Sequence, residues 1–163
     1  MGLVPDIAAS YRRPRAVAAA KIATGREDLA LAYLMLGCAL VFVGQWPRLQ
    51  REAVLTGAEL QPLVGGALLA WIFMMPLLLY VLAGLVTLAS RAIRRPVPPF
   101  AARMALFWAL VAASPLWLLN GLVAGMIGPG PGLAAVGALA AGAFVWFWVA
   151  GLRAGRVIGR AAA

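Results

Sequence analysis

Long stretches without a charged residue dominate the chain, at residues 29–47, 60–90 and 104–152. A helix needs about 20 apolar residues to cross the ~30 Å hydrocarbon core of a bilayer. The third stretch is interrupted at residues 128–132 by three glycines and two prolines, which a helix does not accommodate. The pattern therefore predicts an all-α, multi-pass membrane protein with a bundle of four spans. The predicted spans are residues 29–47, 63–89, 104–127 and 133–152.

The second stretch is too long for one simple crossing and too short for two. At 1.5 Å per residue, its helix would extend about 46 Å. We predict one long span that is tilted or kinked at Pro76, because proline removes a helical hydrogen bond. A re-entrant half-helix is the alternative.

The composition agrees with a membrane protein and excludes several kinds of site. Hydrophobic residues make up 64% of the 163 residues and charged residues only 12%, against about 25% in soluble domains. The chain has no histidine and one cysteine, which excludes disulfide frameworks, zinc sites of the usual spacing and histidine-based triads. The predicted spans also lack the ionisable residues that mark proton relays and ion paths. We therefore expect no catalytic residue, cofactor or metal.

The basic residues lie mostly on one side of the predicted membrane. The N-terminal segment, the second loop and the C-terminus carry most of the 14 lysines and arginines, whereas the first loop carries Arg48 and Arg51. Positive loops favour the cytoplasm, so both termini are predicted to be cytoplasmic. This bias also accounts for the net charge of +9, and we expect no nucleic-acid partner. The abundance of arginine and alanine suggests a GC-rich genome and hence a bacterial cytoplasmic (inner) membrane.

Residues 1–26 are predicted to form a cytoplasmic, basic amphipathic segment ahead of a membrane domain at residues 27–155 and a tail at residues 156–163. A basic amphipathic helix at the interface gains about 1 kcal/mol from each base near an anionic leaflet. The simpler alternative is that these basic residues only fix the topology of the chain. The expected contacts with anionic lipid are Arg12, Arg13, Arg15, Arg91, Arg94 and Arg95.

Small residues recur at every fourth position in the last two spans, a spacing that lets helices approach closely. We expect the third and fourth spans to pack on each other through these residues. The positions are Gly121, Gly125, Ala134, Ala138 and Gly142. Asn120 lies within the third span and is expected to form a hydrogen bond to a neighbouring helix rather than bind a ligand.

A second glycine string lies at or beyond the inner end of the fourth span, at Gly151, Gly155 and Gly159. On a helix these glycines share one face, with arginines beside it. We expect this face to contact another membrane subunit, a second copy of the chain or lipid headgroups. Replacing Gly155 by leucine is then expected to weaken association without affecting insertion.

Two parts of the chain resemble a known family. One is Gly25-Arg26-Glu27-Asp28 with the first span and Gln45-Trp46-Pro47-Arg48; the other is Leu106-Phe107-Trp108-Ala109 through Ser114-Pro115 to Gly128-Pro129-Gly130-Pro131. Over residues 20–132 the chain is similar to short alphaproteobacterial members of the Ypt-interacting protein (YIP) family. Eukaryotic members are polytopic membrane proteins tied to Rab-type GTPases and vesicle traffic. They commonly have a fifth span and an Asp-Leu-x-Gly-Pro signature, which this sequence does not show, so the resemblance implies a membrane protein without transferable functional residues.

Two functions fit these patterns. A non-enzymatic scaffold or accessory protein that acts through helix and lipid contacts is favoured by three features: spans without ionisable residues, helix faces of small residues, and basic ends. A transporter or channel for a neutral or lipid-like solute is the alternative, suggested by Pro76, Pro115 and Asn120. For an intramembrane enzyme, the sequence offers no pair of nucleophile and base.

Overall fold

The computed structural model describes residues 2–161, which form six helices and no strand. Two short helices come first, and each of the four that follow is long and apolar enough to cross a membrane. The predicted all-α fold with four membrane-length helices is therefore confirmed, and the chain is an integral membrane protein. The helices are α1 (Leu3–Arg12), α2 (Pro14–Ala23), α3 (Glu27–Thr56), α4 (Leu60–Ala92), α5 (Pro99–Met126) and α6 (Pro131–Ala161).

The helices extend beyond the predicted spans. α3 ends at Gly57, whose φ of 68° is left-handed and suits a residue without a side chain. α6 continues to Ala161, so residues 156–161 of the predicted tail form its last turns. Helical hydrogen bonding continues past the apolar core because the chain still contains good helix formers there. Met1 of the predicted first segment and residues 162–163 of the predicted tail lie outside the described residues.

α4 is one continuous helix, as predicted for the second stretch, with an irregular middle. The irregularity is a π-helical segment at Leu69–Met74, which lies directly before Pro76 rather than at it. A proline ring in a helix clashes with the carbonyl four residues earlier, here that of Ile72. A wider turn moves this carbonyl away from the ring, which explains why the π segment precedes the proline.

α5 is the central helix of the bundle. Apart from Arg103, every residue from Ala101 to Ser114 is buried, because α3, α4, α6 and the two short helices surround this half of α5. No residue between Leu60 and Met74 is buried, so the first half of α4 is peripheral. The core therefore lies where α3 and α5 start and where α4 and α6 end. We call this the basic end.

The closest helix contact joins α3 and α5. A Cβ atom on Gly121 would lie 1.7 Å from the carbonyl oxygen of Gly44, and one on Gly125 would lie 2.3 Å from the Cβ atom of Pro47. The spacing of these glycines predicted contact with the fourth span, and that prediction is wrong. Such close approach needs a small residue on both helices, and Gly44 provides it on α3. The small residues expected to face them from α6 are exposed: Ala134, Ala138 and Gly142.

Candidate functional site

The N-terminal segment is helical but is divided into two short helices, because Pro14 begins the second one. It folds back at Arg13 into a hairpin of α1 and α2 that packs against α5 and α6. Ser10 is buried and accepts a hydrogen bond of 3.1 Å from the indole Nε1 of Trp108. The Tyr11 hydroxyl donates a 3.2 Å hydrogen bond to the carbonyl of Ala112. These contacts fix the hairpin to the central helix.

An ion pair joins the two arms of the hairpin. The Lys21 ammonium lies 2.6 Å from the Asp6 carboxylate, and their side chains are 14% and 7% exposed. Lys21 also donates to the Tyr33 hydroxyl and lies 4.6 Å from the centroid of the Trp108 ring. Burial lowers the pKa of Lys21, but its hydrogen bonds to Asp6 and Tyr33 outweigh this effect, so the pKa is raised above its ordinary value. Lys21 therefore stays charged within an aromatic enclosure.

The elbow of the hairpin lies beside α6, farther from the end of that helix than the rest of α2. α2 runs parallel to α6, because Ala18 lies against Gly151 and Ile22 lies against Gly155. The same spacing puts the elbow, which we define as residues 12–15, level with Phe147. The rings of Tyr11 and Phe147 are in edge contact, with centroids 5.0 Å apart, which agrees with this register.

At the basic end, a layer of charged residues lies where the apolar sequence of the long helices stops. Glu27 at the start of α3 forms an ion pair with Arg103 of α5. Arg153 of α6 lies at the same level, because the two helices touch above and below it through Ala101 and Ala105. Phe147 precedes Arg153 by six residues, so the elbow lies about 9 Å below this layer along α6.

An open groove of about 600 Å³ separates the elbow from α6. One wall is formed by residues 13–16, and the other is an apolar face of α6 that ends at an arginine. We call this the elbow groove. Its wall on α6 is formed by Gly142, Val145, Trp146, Val149 and Arg153. Trp146 is 63% exposed, so the groove opens to the surroundings of the bundle rather than to its interior.

The six arginines predicted to contact lipid lie in two places. Arg12, Arg13 and Arg15 are exposed on the elbow. The other three follow Leu88 at the end of α4 and in the linker to α5, and Arg94 there has a left-handed φ of 54°. Of these, Arg91 lines a smaller cleft of about 210 Å³ between α4 and α5. The predicted basic surface is thus divided between the elbow and the end of α4, with Arg91, Arg94 and Arg95 on the α4 side.

The second glycine string is covered by the chain itself. A Cβ atom on Gly151, Gly155 or Gly159 would lie 2.7–2.9 Å from an atom of α5 or of the linker before it. The expectation of a bare face for a partner is therefore wrong for these glycines. They let α6 approach Ala105, Ala101 and Pro98, in that order. The spacing correctly placed the three glycines on one face of α6, but it did not indicate that α5 and the linker before it cover this face.

Asn120 faces α6, at Gly137. A Cβ atom on Gly137 would lie 3.3 Å from the Asn120 Oδ1 atom. Among residues 2–161 this buried oxygen has no hydrogen-bond partner, so it does not take part in the interhelical hydrogen bond expected from the sequence. The reason is local, because Gly137 has no side chain to donate.

The sequence argument missed two features of this site. It did not pair Asp6 with Lys21, although an acidic residue within a basic segment is a usable signal when a proline lies between the two. It also did not connect Trp146 with Arg153, which line the same face of the elbow groove. Each of these two pairs of residues is joined in one site only by the fold of the hairpin. No family model, no curated protein and no solved structure matches the chain, and the resemblance to the YIP family stays a prediction.

Proposed function

We propose that this chain is a non-enzymatic scaffold or accessory protein of a bacterial cytoplasmic membrane, with both termini in the cytoplasm. It acts at its basic end, through lipid contacts and through helix contacts with another membrane subunit or a second copy. The observation that carries this proposal is the docked hairpin, which holds Arg12, Arg13 and Arg15 exposed beside α6. A segment that served only to fix topology would need no such docking.

The packing of the bundle supports a role in contacts. The buried half of α5 is rich in alanine, which lets the neighbouring helices approach closely. Asp6, which is buried, is neutralised by Lys21 within the hairpin. The exposed arginines of the chain lie mostly at the basic end.

A transporter or channel for a neutral or lipid-like solute is the second candidate. The π segment of α4 and a cleft of about 370 Å³ between α3 and α4 favour it. Gln45, Arg48 and Glu52 line this cleft on the α3 side, and Trp71 lines it on the α4 side. Irregular helical turns of this type are frequent at functional sites.

Purification from native membranes in mild detergent tests the proposal. We expect the tagged chain to purify with another membrane subunit, or as an oligomer, at a fixed ratio. Ser10→Leu should abolish that association and leave membrane insertion intact, because leucine is too large for the contact with Trp108 and displaces the hairpin. Ser10→Ala is the control, since it removes one hydrogen bond without adding bulk.

A chain that purifies alone, as a monomer, would contradict the scaffold function. Solute flux through liposomes that contain the purified chain would then favour the transporter. Partner binding that is the same in the wild type and in Ser10→Leu, with the hairpin shown to be displaced, would also contradict a role for the basic end.

A further inference from the structure

We propose that the elbow groove binds one anionic phospholipid. The phosphate lies among the guanidinium groups of Arg13, Arg15 and Arg153, and one acyl chain runs along α6 from Val149 to Gly142. This inference deepens the proposed function and rests on it for the placement of the basic end at the cytoplasmic leaflet.

The shape of the groove fits a lipid. Its volume of about 600 Å³ is within the ~300–1,000 Å³ of sites for small molecules. The face from Gly142 to Val149 is apolar, and it is open on the side where a bilayer would surround the bundle. A Cβ atom on Gly142 would meet no atom within 4 Å, so the deep end of the groove is free for an acyl chain.

The depth of the groove also fits. Arg153 lies at the level of the Glu27–Arg103 ion pair, where headgroups are expected to meet the bundle. Gly142 precedes Arg153 by eleven residues, which corresponds to about 16 Å along α6. This is about half of the ~30 Å hydrocarbon core and hence the depth of one leaflet. A lipid with its phosphate at Arg153 would therefore reach Gly142 with its acyl chain.

The charges of the groove call for an anion. Within residues 2–161, the arginines of the groove form no ion pair with a carboxylate. The acidic residues of the basic end are already engaged: Asp6 by Lys21, Glu27 by Arg103 and Asp28 by Arg26. An arginine held below the headgroup level is costly unless an anion or water reaches it. A phosphate oxygen pair matches the guanidinium geometry and supplies that anion.

The smaller cleft between α4 and α5 is a weaker candidate for the same ligand. Its volume is about 210 Å³, and of its two arginines Arg103 is already paired with Glu27. Arg91 alone remains for a phosphate there. The elbow groove combines a larger volume with three arginines that pair with no carboxylate in the part of the chain that the structure describes.

Native mass spectrometry of the purified full-length chain tests the proposal. Dioleoyl phosphatidylglycerol is the anionic probe, and dioleoyl phosphatidylcholine is the zwitterionic comparison. We expect one phosphatidylglycerol molecule to be retained more tightly than phosphatidylcholine. Arg153→Gln should weaken its binding about tenfold, as the loss of one charge-assisted contact implies. Arg160→Gln removes the same charge from the same helix outside the groove and should leave binding unchanged.

A second pair of variants tests the acyl-chain part of the site. Gly142→Phe should fill the groove and reduce phosphatidylglycerol retention, whereas Gly65→Phe, at an equally open glycine of α4, should not. Inorganic phosphate should not displace the lipid, because it lacks an acyl chain. Equal retention of both lipids, equal effects of Arg153→Gln and Arg160→Gln, or displacement by phosphate would overturn the proposal. The measurement uses the chain alone, so its failure is distinct from a failure to capture a protein partner.

Discussion

The ammonium of Lys21 and the carboxylate of Asp6 lie 2.6 Å apart and connect the two arms of the N-terminal hairpin. Through Lys21 the pair also reaches Tyr33 of α3 and Trp108 of α5. This enclosed charge pair therefore helps to dock the hairpin on two membrane helices, together with the hydrogen bonds of Ser10 and Tyr11.

Replacing Lys21 by methionine should release the hairpin. The substitution leaves the Asp6 carboxylate buried without its partner, which typically costs about 3–5 kcal/mol. We expect faster amide hydrogen exchange at residues 3–23 and little change in α3 to α6. The double variant Asp6→Asn with Lys21→Gln removes both charges and should exchange more slowly than Lys21→Met. Unchanged exchange in Lys21→Met would show that other contacts suffice for docking.

Docking should weaken at alkaline pH. The pKa of Lys21 is raised above its ordinary value of 10.5 by the net effect of burial and its hydrogen bonds, and burial raises the pKa of Tyr11 above 10.0. In both cases the docked form holds the proton more tightly, so the stabilisation is complete below pH 10 and is lost as the pH rises through the raised values. Cross-linking between α1 and α5, measured from pH 8 to pH 12, should fall at the upper end. Tyr11→Phe, which keeps the Asp6–Lys21 pair, should lose the part of this pH dependence that comes from the raised pKa of Tyr11.

Gly121→Ala should disrupt the contact between α3 and α5. The added methyl group would lie 1.7 Å from the Gly44 carbonyl oxygen, which is part of the backbone and cannot turn aside. We expect a loss of about 3 kcal/mol, at the upper end of the usual cost of overpacking, measured by unfolding in mixed micelles. Gly84→Ala, where the methyl group meets open space, should be neutral or stabilising by up to about 1 kcal/mol. Equal stability of the two variants would contradict the close contact.

Gly155→Leu should damage the fold of the chain rather than only its association with a partner. Its Cβ atom would lie 2.8 Å from that of Ala101, and the rest of the leucine would force α6 away from α5. We expect lower thermal stability for the chain in detergent, at all protein concentrations. A loss that appears only at high protein concentration would indicate an intermolecular contact.

Reporter fusions test the orientation. Fusions in the turns after Gly57 and Gly130 should report the periplasm, and fusions after Pro96 or at the C-terminus should report the cytoplasm. These sites lie outside or at the ends of helices, so insertion should be preserved. A cytoplasmic signal at Gly130 would contradict the proposed topology.

The four long helices could be predicted because each depends on local information. An apolar run of sufficient length and a breaker such as residues 128–132 act on a single helix, whatever its neighbours. The π segment before Pro76 was only partly foreseen, because proline indicates a disturbance but not the turn that absorbs it.

The contacts between helices could not be predicted in the same way. Helical spacing places Gly121 and Gly125 on one face, but it does not reveal that Gly44 of α3 meets them. The hairpin was hidden for a similar reason. The charges of this segment suggest contact with a membrane surface. Its docking, however, depends on contacts of Ser10 and Lys21 with Trp108, which is distant from both in sequence.

The docked hairpin has a consequence for the order of assembly during synthesis. Residues 3–23 leave the ribosome before α5 and α6 exist, yet Ala18 and Ile22 pack against Gly151 and Gly155. Contacts of such long sequence separation close late, because the intervening chain must first be placed. The arginines of the elbow are therefore free while the first three long helices insert. They move to their final position beside α6 only when translation of the bundle is nearly complete.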